Sequence, residues 1–397
     1  MSVVIPREFV FAAVHCGIKR DPAKRDLGLV VSRRPATAVG VYTQNRIFAA
    51  PVGWDRAHTP SDRVRAVVVN SGNANACTGE QGYRDAAEMA RLTGEFIGAT
   101  ADEVLVLSTG IIGEFLPMDR ISQGIRLAAS QLSSDPQAFL AVAEALLTTD
   151  KYRKVAGSEL QGSGQVVRLA GMAKGAGMIS PRMATMLAVI LTDAAVDPEA
   201  ADRLLREAVN QSFNCISVDG HMSTNDTVLF LANGSSGVAV GGELSREFFA
   251  EKLTEVCQSL ARAIVSDGEG ASHLVTIDVS GCKTREDALQ VARTVANSPL
   301  VKTAITGADP NWGRIVSAVG YSGVPFDPQK LTLDVNGFLL YQHGRPIPFD
   351  PEAVSRSIRQ SPEVFVHIRL EEGTASARFW TCDLTTEYVR INADYHT

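Results

Sequence analysis

One short segment carries the residue types that could do covalent chemistry. Residues 174–187 read KGAGMISPRMATML, in which a glycine-rich loop and Pro181 lead to Thr185 at the first position of an apolar run. If the bond between Ala184 and Thr185 is cut, Thr185 gains a free α-amine beside its own hydroxyl. The unperturbed pKa of such an amine is about 8, so it can accept the hydroxyl proton near neutral pH and activate the nucleophile.

The hydroxyl of Thr185 could also make the cut itself. Attack on the Ala184 carbonyl would give an ester that water opens, and only Ser, Thr or Cys can serve in both steps. A Thr that begins a strand after a Gly/Pro loop is, however, commonly a turn or capping residue. The loop is not a phosphate-binding loop, because the GxxxxGK[ST] order is absent. The segment alone therefore leaves both interpretations of Thr185 open.

Apolar runs of strand length predict a scaffold around this segment. Several runs are continuous rather than alternating, which is typical of strands covered on both faces. They cover residues 64–70, 103–109, 185–193, 227–234, 273–281, 364–370 and 376–384.

Helix start signals lie between these runs. Asp197 and Asp350 each precede a proline, which puts a capping carboxylate before the first turn. Ser245 opens a long segment with apolar residues at helical spacing. Strands that alternate with long amphipathic helices predict layered α/β packing.

Five polar, glycine-rich segments lie at the predicted strand ends. Polar glycine loops on a buried scaffold are where binding and catalytic sites are usually built, so we expect the site among these loops. They cover residues 70–79, 108–114, 148–151, 174–185 and 266–271.

The composition argues against several function classes. A net charge of −6 and a pI near 5.7 give no electrostatic footprint for nucleic acid or an anionic membrane. The six cysteines form no CxxC pair or zinc-type cluster, so we expect scattered thiols of a reduced compartment. No signal peptide and no membrane-spanning stretch is recognisable. These features predict a soluble, cytoplasmic protein.

Residues 174–187 closely resemble the cleavage motif of the ornithine acetyltransferase family of arginine biosynthesis, Lys-Gly-small-Gly-Met-Ile-x-Pro-x-Met-Ala-Thr-Met-Leu. Members of this family cut themselves and use the new N-terminal Thr as nucleophile. Further segments resemble the family in the family's order, so the resemblance covers essentially the whole chain. They are NSGNANACTG, LSTGIIGE, SFNCISVD, STNDT, SDGEGA, NSPLVKTA, DPNWGR and the closing EYVRINADYHT.

The resemblance implies roles for individual residues. The chain would be cut between Ala184 and Thr185, and Thr185 would be the nucleophile. Thr109 and Gly110 would supply the oxyanion hole, whose donors are typically worth a few kcal/mol each. Lys174 could pair a substrate carboxylate. The implied substrate-binding residues are a Thr of the Thr148–Thr149 pair, Lys174, Thr185, Glu269 (which could receive an ammonium or steer the attacking amine), Asn392 and Thr397.

The resemblance also implies the fold and the reaction. The fold would be α/β (α+β), a layered α-β-β-α sandwich like that of other self-cleaving Thr/Ser-nucleophile enzymes. Residues 1–184 and 185–397 would form an alpha and a beta chain in one intertwined catalytic unit, with two of each in the assembly. The implied activity is that of a glutamate N-acetyltransferase, which moves acetyl from N-acetylornithine to glutamate through an acetyl-Thr185 ester in a ping-pong reaction. No metal or bound cofactor is implied, although bifunctional members also take acetyl from acetyl-CoA.

Two places depart from the family's pattern, and the residues near the terminus are unusually bulky for a free end. After the TTD of residues 148–150 the family usually has Thr and then Pro-Lys, whereas residues 151–154 here read KYRK. The shape of this loop, and the choice between its two threonines, therefore stay open. Arg182 stands where a small polar residue is usual. Near the terminus, bulky side chains predict a docked rather than a frayed segment: Tyr388, Val389, Ile391 and Tyr395.

The sequence leaves three other functions open. A related self-cleaving hydrolase or aminopeptidase would pass the acyl group to water. An acyltransferase paralogue of secondary metabolism would use another acyl donor. A protein on the same scaffold could bind ligands without catalysis, although the joint presence of Thr109, Lys174, Thr185 and Glu269 argues against it.

Overall fold

The computed structural model describes residues 4–162, 164–180 and 186–394. The predicted cleavage residues Ala184 and Thr185 lie outside these ranges, as do Arg182 and Thr397. Within them, strands and helices alternate along the chain.

The strands and helices of the described residues are numbered in chain order. The strands are β1 Phe9–Val14, β2 Leu27–Tyr42, β3 Ser61–Asn73, β4 Val104–Ile111, β5 Lys154–Gly162, β6 Gln165–Lys174, β7 Leu187–Thr192, β8 Ile216–Ser217, β9 Thr227–Ala232, β10 Leu274–Cys282, β11 Thr332–Val335, β12 Phe338–Gln342, β13 Arg345–Pro346, β14 Glu363–Arg369 and β15 Ala375–Cys382. The helices are α1 Ala50–His58, α2 Gly79–Ile97, α3 Met118–Ala129, α4 Pro136–Ala145, α5 Pro198–Asn210, α6 Arg246–Ser266, α7 Arg285–Ala296, α8 Pro299–Thr306, α9 Trp312–Gly320, α10 Pro351–Gln360 and α11 Thr386–Asp394.

The local predictions agree with these elements. All seven apolar runs fall on strands, namely β3, β4, β7, β9, β10, β14 and β15. The carboxylate of Asp197 accepts the amide N–H of Ala200 at 2.9 Å, and Asp350 caps α10 in the same way. Ser245 caps α6 through its hydroxyl. Each cap satisfies a first-turn N–H that has no partner inside its helix.

The first sheet folds into two facing halves. Its strand order is β4-β3-β2-β9-β7-β6-β5, and β1 also pairs with β2. The long β2 belongs to both halves, because its first residues pair with β1 and its last with β9. One continuous buried cluster takes side chains from both halves, including Val67 and Leu105 on one side and Met172, Val189 and Leu229 on the other.

Helices cover the two outer faces of this folded sheet. The alternate side chains of β3 and β4 pack against α2 and α3. Those of β6, β7 and β9 pack against α5 and α6. The layers therefore run helix, strand, strand, helix, which confirms the predicted α-β-β-α sandwich. The period of two along each strand separates the inner core from the two outer cores.

A second sheet lies beyond α6 and was not predicted. It has seven strands in the order β13-β12-β11-β14-β10-β15-β8. Helix α6 contacts β5 and β6 of the first sheet and β10 and β15 of the second, while α7 packs on β10 and β15. The end of α6 is thereby fixed from both sides, and the loop that follows it carries Glu269.

Two absences hold for the described part of the chain. No helix there is both long and apolar enough to cross a membrane. No group of three or more His, Cys, Asp or Glu side chains is arranged there to hold a metal ion. All six cysteines are free thiols, as the sequence predicted.

Candidate active site

One cavity collects the predicted site residues from five separate segments. It has a volume of about 110 Å³ and lies where β4, β6 and α6 end and β9 begins. Seven predicted residues line it, which are Thr109, Gly110, Thr148, Thr149, Lys174, Glu269 and Asn392. Both threonines of the pair line the cavity, so the choice between them stays open.

Strand register places the described residues that flank the predicted cleavage point beside this cavity. Lys174, the last residue of β6, pairs with Leu187 at the start of β7, and Leu187 pairs with Thr227 at the start of β9. Met186 is held by its backbone on both sides. Its N–H donates to Asp226 Oδ1 at 3.1 Å, and its carbonyl accepts the N–H of Thr227 at 3.1 Å. The described chain therefore resumes after residue 185 at a fixed point beside the cavity wall.

Lys174 is a buried cation in the cavity wall, and its ammonium donates to Thr109 Oγ1 at 3.2 Å. Burial lowers the pKa of Lys174, because desolvation disfavours the charged form, and Lys154 lowers it further. The carboxyl groups of Asp150, Asp226 and Glu269 act in the opposite direction, although burial raises the pKa of Asp226 itself. Since an ammonium has donors only, Thr109 Oγ1 accepts this bond and keeps its own proton for another acceptor.

Gly110 is required by the backbone at the end of β4. Its φ of 135° lies outside the range that L side chains adopt readily, and a Cβ there would lie 2.3 Å from the carbonyl carbon of Gly72. A larger residue would push β4 away from β3. The peptide between Thr109 and Gly110 is thus held close to its neighbour at the rim of the cavity.

Glu269 and Asn392 close the opposite side. The Asn392 amide donates to Glu269 Oε2 at 2.9 Å, and the N–H of Glu269 donates to the carbonyl of Ala176 at 2.8 Å. Gly177 packs against the same carboxyl group, since a Cβ on Gly177 would lie 2.5 Å from it. A side chain at residue 177 would therefore displace the Glu269 carboxylate from its present position.

Helix α11 docks, as the terminal side chains predicted, but not through all of them. The Tyr388 hydroxyl donates to Asp219 Oδ2 at 3.3 Å, and Asp219 also accepts the N–H groups of Met178 and Ile179. The prediction was wrong for Val389, which is 63% exposed because it lies on the outer side of the helix. Tyr395 lies outside the described residues.

Sequence reasoning missed several residues of the site. Ser223, Thr224 and Asn225 line the cavity, and the Asn225 amide donates to the carbonyls of Ala74 and Ser108 at 2.7 and 2.8 Å. The STNDT segment that contains them was noticed only as part of a resemblance. Their proximity to β4 depends on pairing across the sheet, which no local pattern reveals.

The departure at residues 151–154 leaves the lining of the cavity intact. The side chain of Lys151 is exposed, and its backbone N–H donates to Asp267 Oδ2 at 3.0 Å. Thr148 and Thr149 still reach the cavity. Lys151, Tyr152 and Arg153 are exposed and therefore change the outside of the loop, whereas Lys154 is buried beneath it.

A profile of the ArgJ family matches residues 10–397. The arginine biosynthesis bifunctional protein ArgJ of Rhodopirellula baltica is 44% identical over 399 residues, covering 100% of this chain and 97% of its own length. That of Symbiobacterium thermophilum is 48% identical, covering 100% and 98%. The crystal structure of the arginine biosynthesis bifunctional protein ArgJ of Bacillus halodurans is 35% identical with a TM-score of 0.50, covering 52% of this chain and 98% of that one.

Adding one methyl group at Gly177 should disturb the site without touching the core. In Gly177→Ala the new Cβ must displace the Glu269 carboxylate and, with it, Asn392. We expect the acetyl-transfer rate to fall roughly 10- to 100-fold, the scale seen when positioning groups shift by about 1 Å.

Gly320→Ala is the matched control, because a Cβ at Gly320 meets nothing within 4 Å. Steady-state rates for both variants give the comparison. A wild-type rate in Gly177→Ala would show that the contact between Gly177 and Glu269 has no part in the reaction.

Proposed function

This chain belongs to the ArgJ family, and we propose that it is an ornithine acetyltransferase that moves the acetyl group of N-acetylornithine to glutamate in arginine biosynthesis. The observation that carries this function is the convergence of Thr109, Gly110, Lys174 and Glu269 on one cavity. The chain matches relatives named for arginine biosynthesis over its whole length.

The proposed first half-reaction forms an ester on Thr185. The α-amine of Thr185 takes the proton of the hydroxyl, and the Oγ atom attacks the acetyl carbonyl of N-acetylornithine. The tetrahedral oxyanion would be stabilised by the backbone N–H of Gly110 and by the Thr109 hydroxyl, whose proton is available because Lys174 donates to its oxygen. The C–N bond of the acetylated amine then breaks, the leaving nitrogen takes the proton held by the Thr185 α-amine, and ornithine leaves.

The second half-reaction is the reverse with another amine. The α-amine of glutamate attacks the acetyl-Thr185 ester and the ester C–O bond breaks. The proton lost by the glutamate amine passes through the Thr185 α-amine to the Thr185 oxygen, and N-acetylglutamate leaves with the Thr185 hydroxyl restored. Both substrates carry an α-carboxylate, which the Lys174 ammonium can pair in a site of low dielectric. Glu269 would receive an ammonium or orient the attacking amine. These steps use side chains and a terminal amine and require no metal or bound cofactor.

We further propose that self-cleavage before Thr185 gives chains of residues 1–184 and 185–397, with two copies of each in a cytoplasmic assembly. The fixed backbone of Met186 supports the cleavage, because a new N-terminus at Thr185 must stay in place after the cut. The solved ArgJ chain of Bacillus halodurans supports it too. That chain is covered almost completely, yet it accounts for only 52% of this one, about the size of a single fragment.

The product of the second half-reaction tests the activity against its nearest alternative. Incubation with N-acetylornithine and glutamate should give N-acetylglutamate and ornithine in equal amounts. A hydrolase with the same nucleophile would instead release free acetate, whether or not glutamate is present. Acetate as the sole acyl product, with no N-acetylglutamate by chromatography, would refute the transferase.

Thr185→Ala should leave a single uncut and inactive chain, since Ala has no nucleophile for either step. Thr185→Ser is the matched control, because a Ser hydroxyl can serve in both steps and should keep cleavage and some exchange. A denaturing gel with N-terminal sequencing of the second fragment, expected to begin Thr-Met-Leu-Ala, makes the measurement. An active wild-type chain that stays uncut would contradict the mechanism.

We propose acetyl-CoA as a second acyl donor, for which a neighbouring cleft offers a specific observation. The cleft has a volume of about 730 Å³ and shares Thr148 with the cavity. The cleft is lined by two acidic residues, Asp21 and Glu114, and by four cationic ones, Lys19, Arg20, Lys24 and Arg120. Phosphate groups bound there would leave the thioester end next to the acyl site, and the cationic lining suits phosphate.

Neutralising two exposed cations of the cleft tests this donor. Arg20→Gln with Lys24→Gln should raise the KM for acetyl-CoA roughly tenfold, more at low than at high salt, because exposed charges are screened by ions. The KM for N-acetylornithine should not change. The control is Arg33→Gln with Arg34→Gln, an equal charge change at exposed residues that do not line the cleft. Equal effects of the two pairs on acetyl-CoA would contradict a phosphate site here.

A further inference from the structure

A buried lysine outside the cavity lies between two buried carboxylates. The side chains of Lys154, Asp150 and Asp267 are all fully buried. Lys154 Nζ lies 2.7 Å from Asp150 Oδ1 and 2.5 Å from Asp267 Oδ2, and it also donates to the carbonyl of Tyr152 at 3.1 Å. None of these three charged residues lines the cavity. The proposed reaction has no chemical step for them.

Each carboxylate of this triad holds the backbone of a segment that carries a site residue. Asp150 Oδ1 accepts the N–H of Gly175, the residue after Lys174, at 2.7 Å, and Asp150 Oδ2 accepts the N–H of Thr148 at 3.0 Å. Asp267 Oδ2 accepts the N–H of Lys151 at 3.0 Å. Asp267 itself stands two residues before Glu269.

The Lys154 ammonium therefore links three loops through Asp150 and Asp267. One loop carries Thr148 and Thr149, the second follows Lys174, and the third leads to Glu269. Residues 154 and 267 are more than a hundred positions apart, so no local element fixes their spacing. Removing the cation would leave two carboxylates facing each other without water, and their repulsion would drive the loops apart.

Stability alone does not account for such a group. Taking charges out of water is costly, and replacing a buried ion cluster by neutral side chains is often neutral or even stabilising. Lys174 and Lys154 also keep Asp150 charged. Burial acts to raise the pKa of Asp150, but the two lysines hold it at about 2. An ionised Asp150 accepts backbone N–H groups more strongly than a neutral carboxyl would.

We propose that Lys154 is a positioning residue for the acyl-transfer site, whose ammonium, shared by Asp150 and Asp267, sets the spacing of the Thr148–Thr149, Lys174 and Glu269 segments. This inference rests on the proposed function for its kinetic consequences, but its structural part can be measured without any activity.

Two variants separate positioning from stability. Lys154→Met leaves two buried carboxylates without their cation and should lower both the Tm and the kcat/KM. The double variant Lys154→Met with Asp267→Asn removes one charge of each sign and should recover most of the Tm. Its kcat and kcat/KM should still be at least roughly tenfold below wild type, since the loops lose the shared ammonium that spaces them. Rates are compared on the cleaved fraction, measured by denaturing gel.

Lys302→Met is the matched control. Lys302 is also a buried lysine, but its ammonium binds Thr381 and the carbonyl of Cys382 rather than a carboxylate, and it does not line the cavity. Its loss should lower the Tm while kcat/KM stays within about threefold of wild type, as expected for a residue that affects stability alone.

Hydrogen–deuterium exchange provides the readout that does not depend on activity. In the double variant the amides of Thr148, Lys151 and Gly175 should exchange faster, while those of β14 stay as in wild type. A double variant with wild-type Tm, wild-type kcat/KM and unchanged exchange at these amides would overturn the proposal. If the wild-type chain makes no N-acetylglutamate, the proposed function fails, and the exchange data still decide the role of Lys154.

Discussion

The site depends on the cost of keeping a lysine ammonium out of water. Lys174 is buried in the wall of the cavity, where it could not stay charged without compensation. Asp150 and Glu269 supply that compensation from two different segments, whereas burial raises the pKa of Asp226. All three groups also accept hydrogen bonds that organise the chain: Asp150 from the N–H of Gly175, Asp226 from the N–H of Met186, and Glu269 from the amide of Asn392. The requirement to balance one charge thus gathers the chain around the place where an acyl group would react.

The α-β-β-α sandwich holds the charged groups around Lys174 at fixed positions. Strands β4 and β6 end at the cavity and β7 and β9 begin beside it, so their terminal residues inherit the fixed spacing of a sheet. Helix α6 packs between the two sheets and ends shortly before Glu269. The reacting groups are therefore carried on loops, but each loop is only a few residues from a buried strand or helix, as preorganised catalysis requires.

The sequence predicted the elements better than their arrangement. Apolar runs and capping residues have local causes, and so β3, β4, β7 and the starts of α5 and α10 were all expected. The second sheet was not expected, because the parallel pairing of β10 with β14 joins residues far apart in the chain. The site residues were assigned through the resemblance to a family. Reasoning from the residues alone reached only the chemistry of Thr185 and the glycine loops around it.

Besides Ser223, Thr224 and Asn225, sequence reasoning missed the buried ion cluster beside the site. Asp267 reaches Lys154 and Lys151 across more than a hundred positions, and each member of the Asp150–Lys154–Asp267 cluster taken alone reads as an ordinary charged residue of a loop or a strand end. Only the burial of all three side chains reveals that they form one unit. The exposed Val389 is the opposite case, an apolar residue expected to dock that faces water on the outer side of α11.

The most direct measurement is the mass of the fragment that begins at Thr185 after incubation with N-acetylornithine in the absence of glutamate, followed by rapid acid quenching. The account predicts a fragment heavier by one acetyl group, located on residue 185, lost on treatment with hydroxylamine as an ester is, and transferred to glutamate when glutamate is added. An unmodified fragment in an enzyme that nevertheless exchanges acetyl groups, or an acetyl group on any other residue, would contradict it.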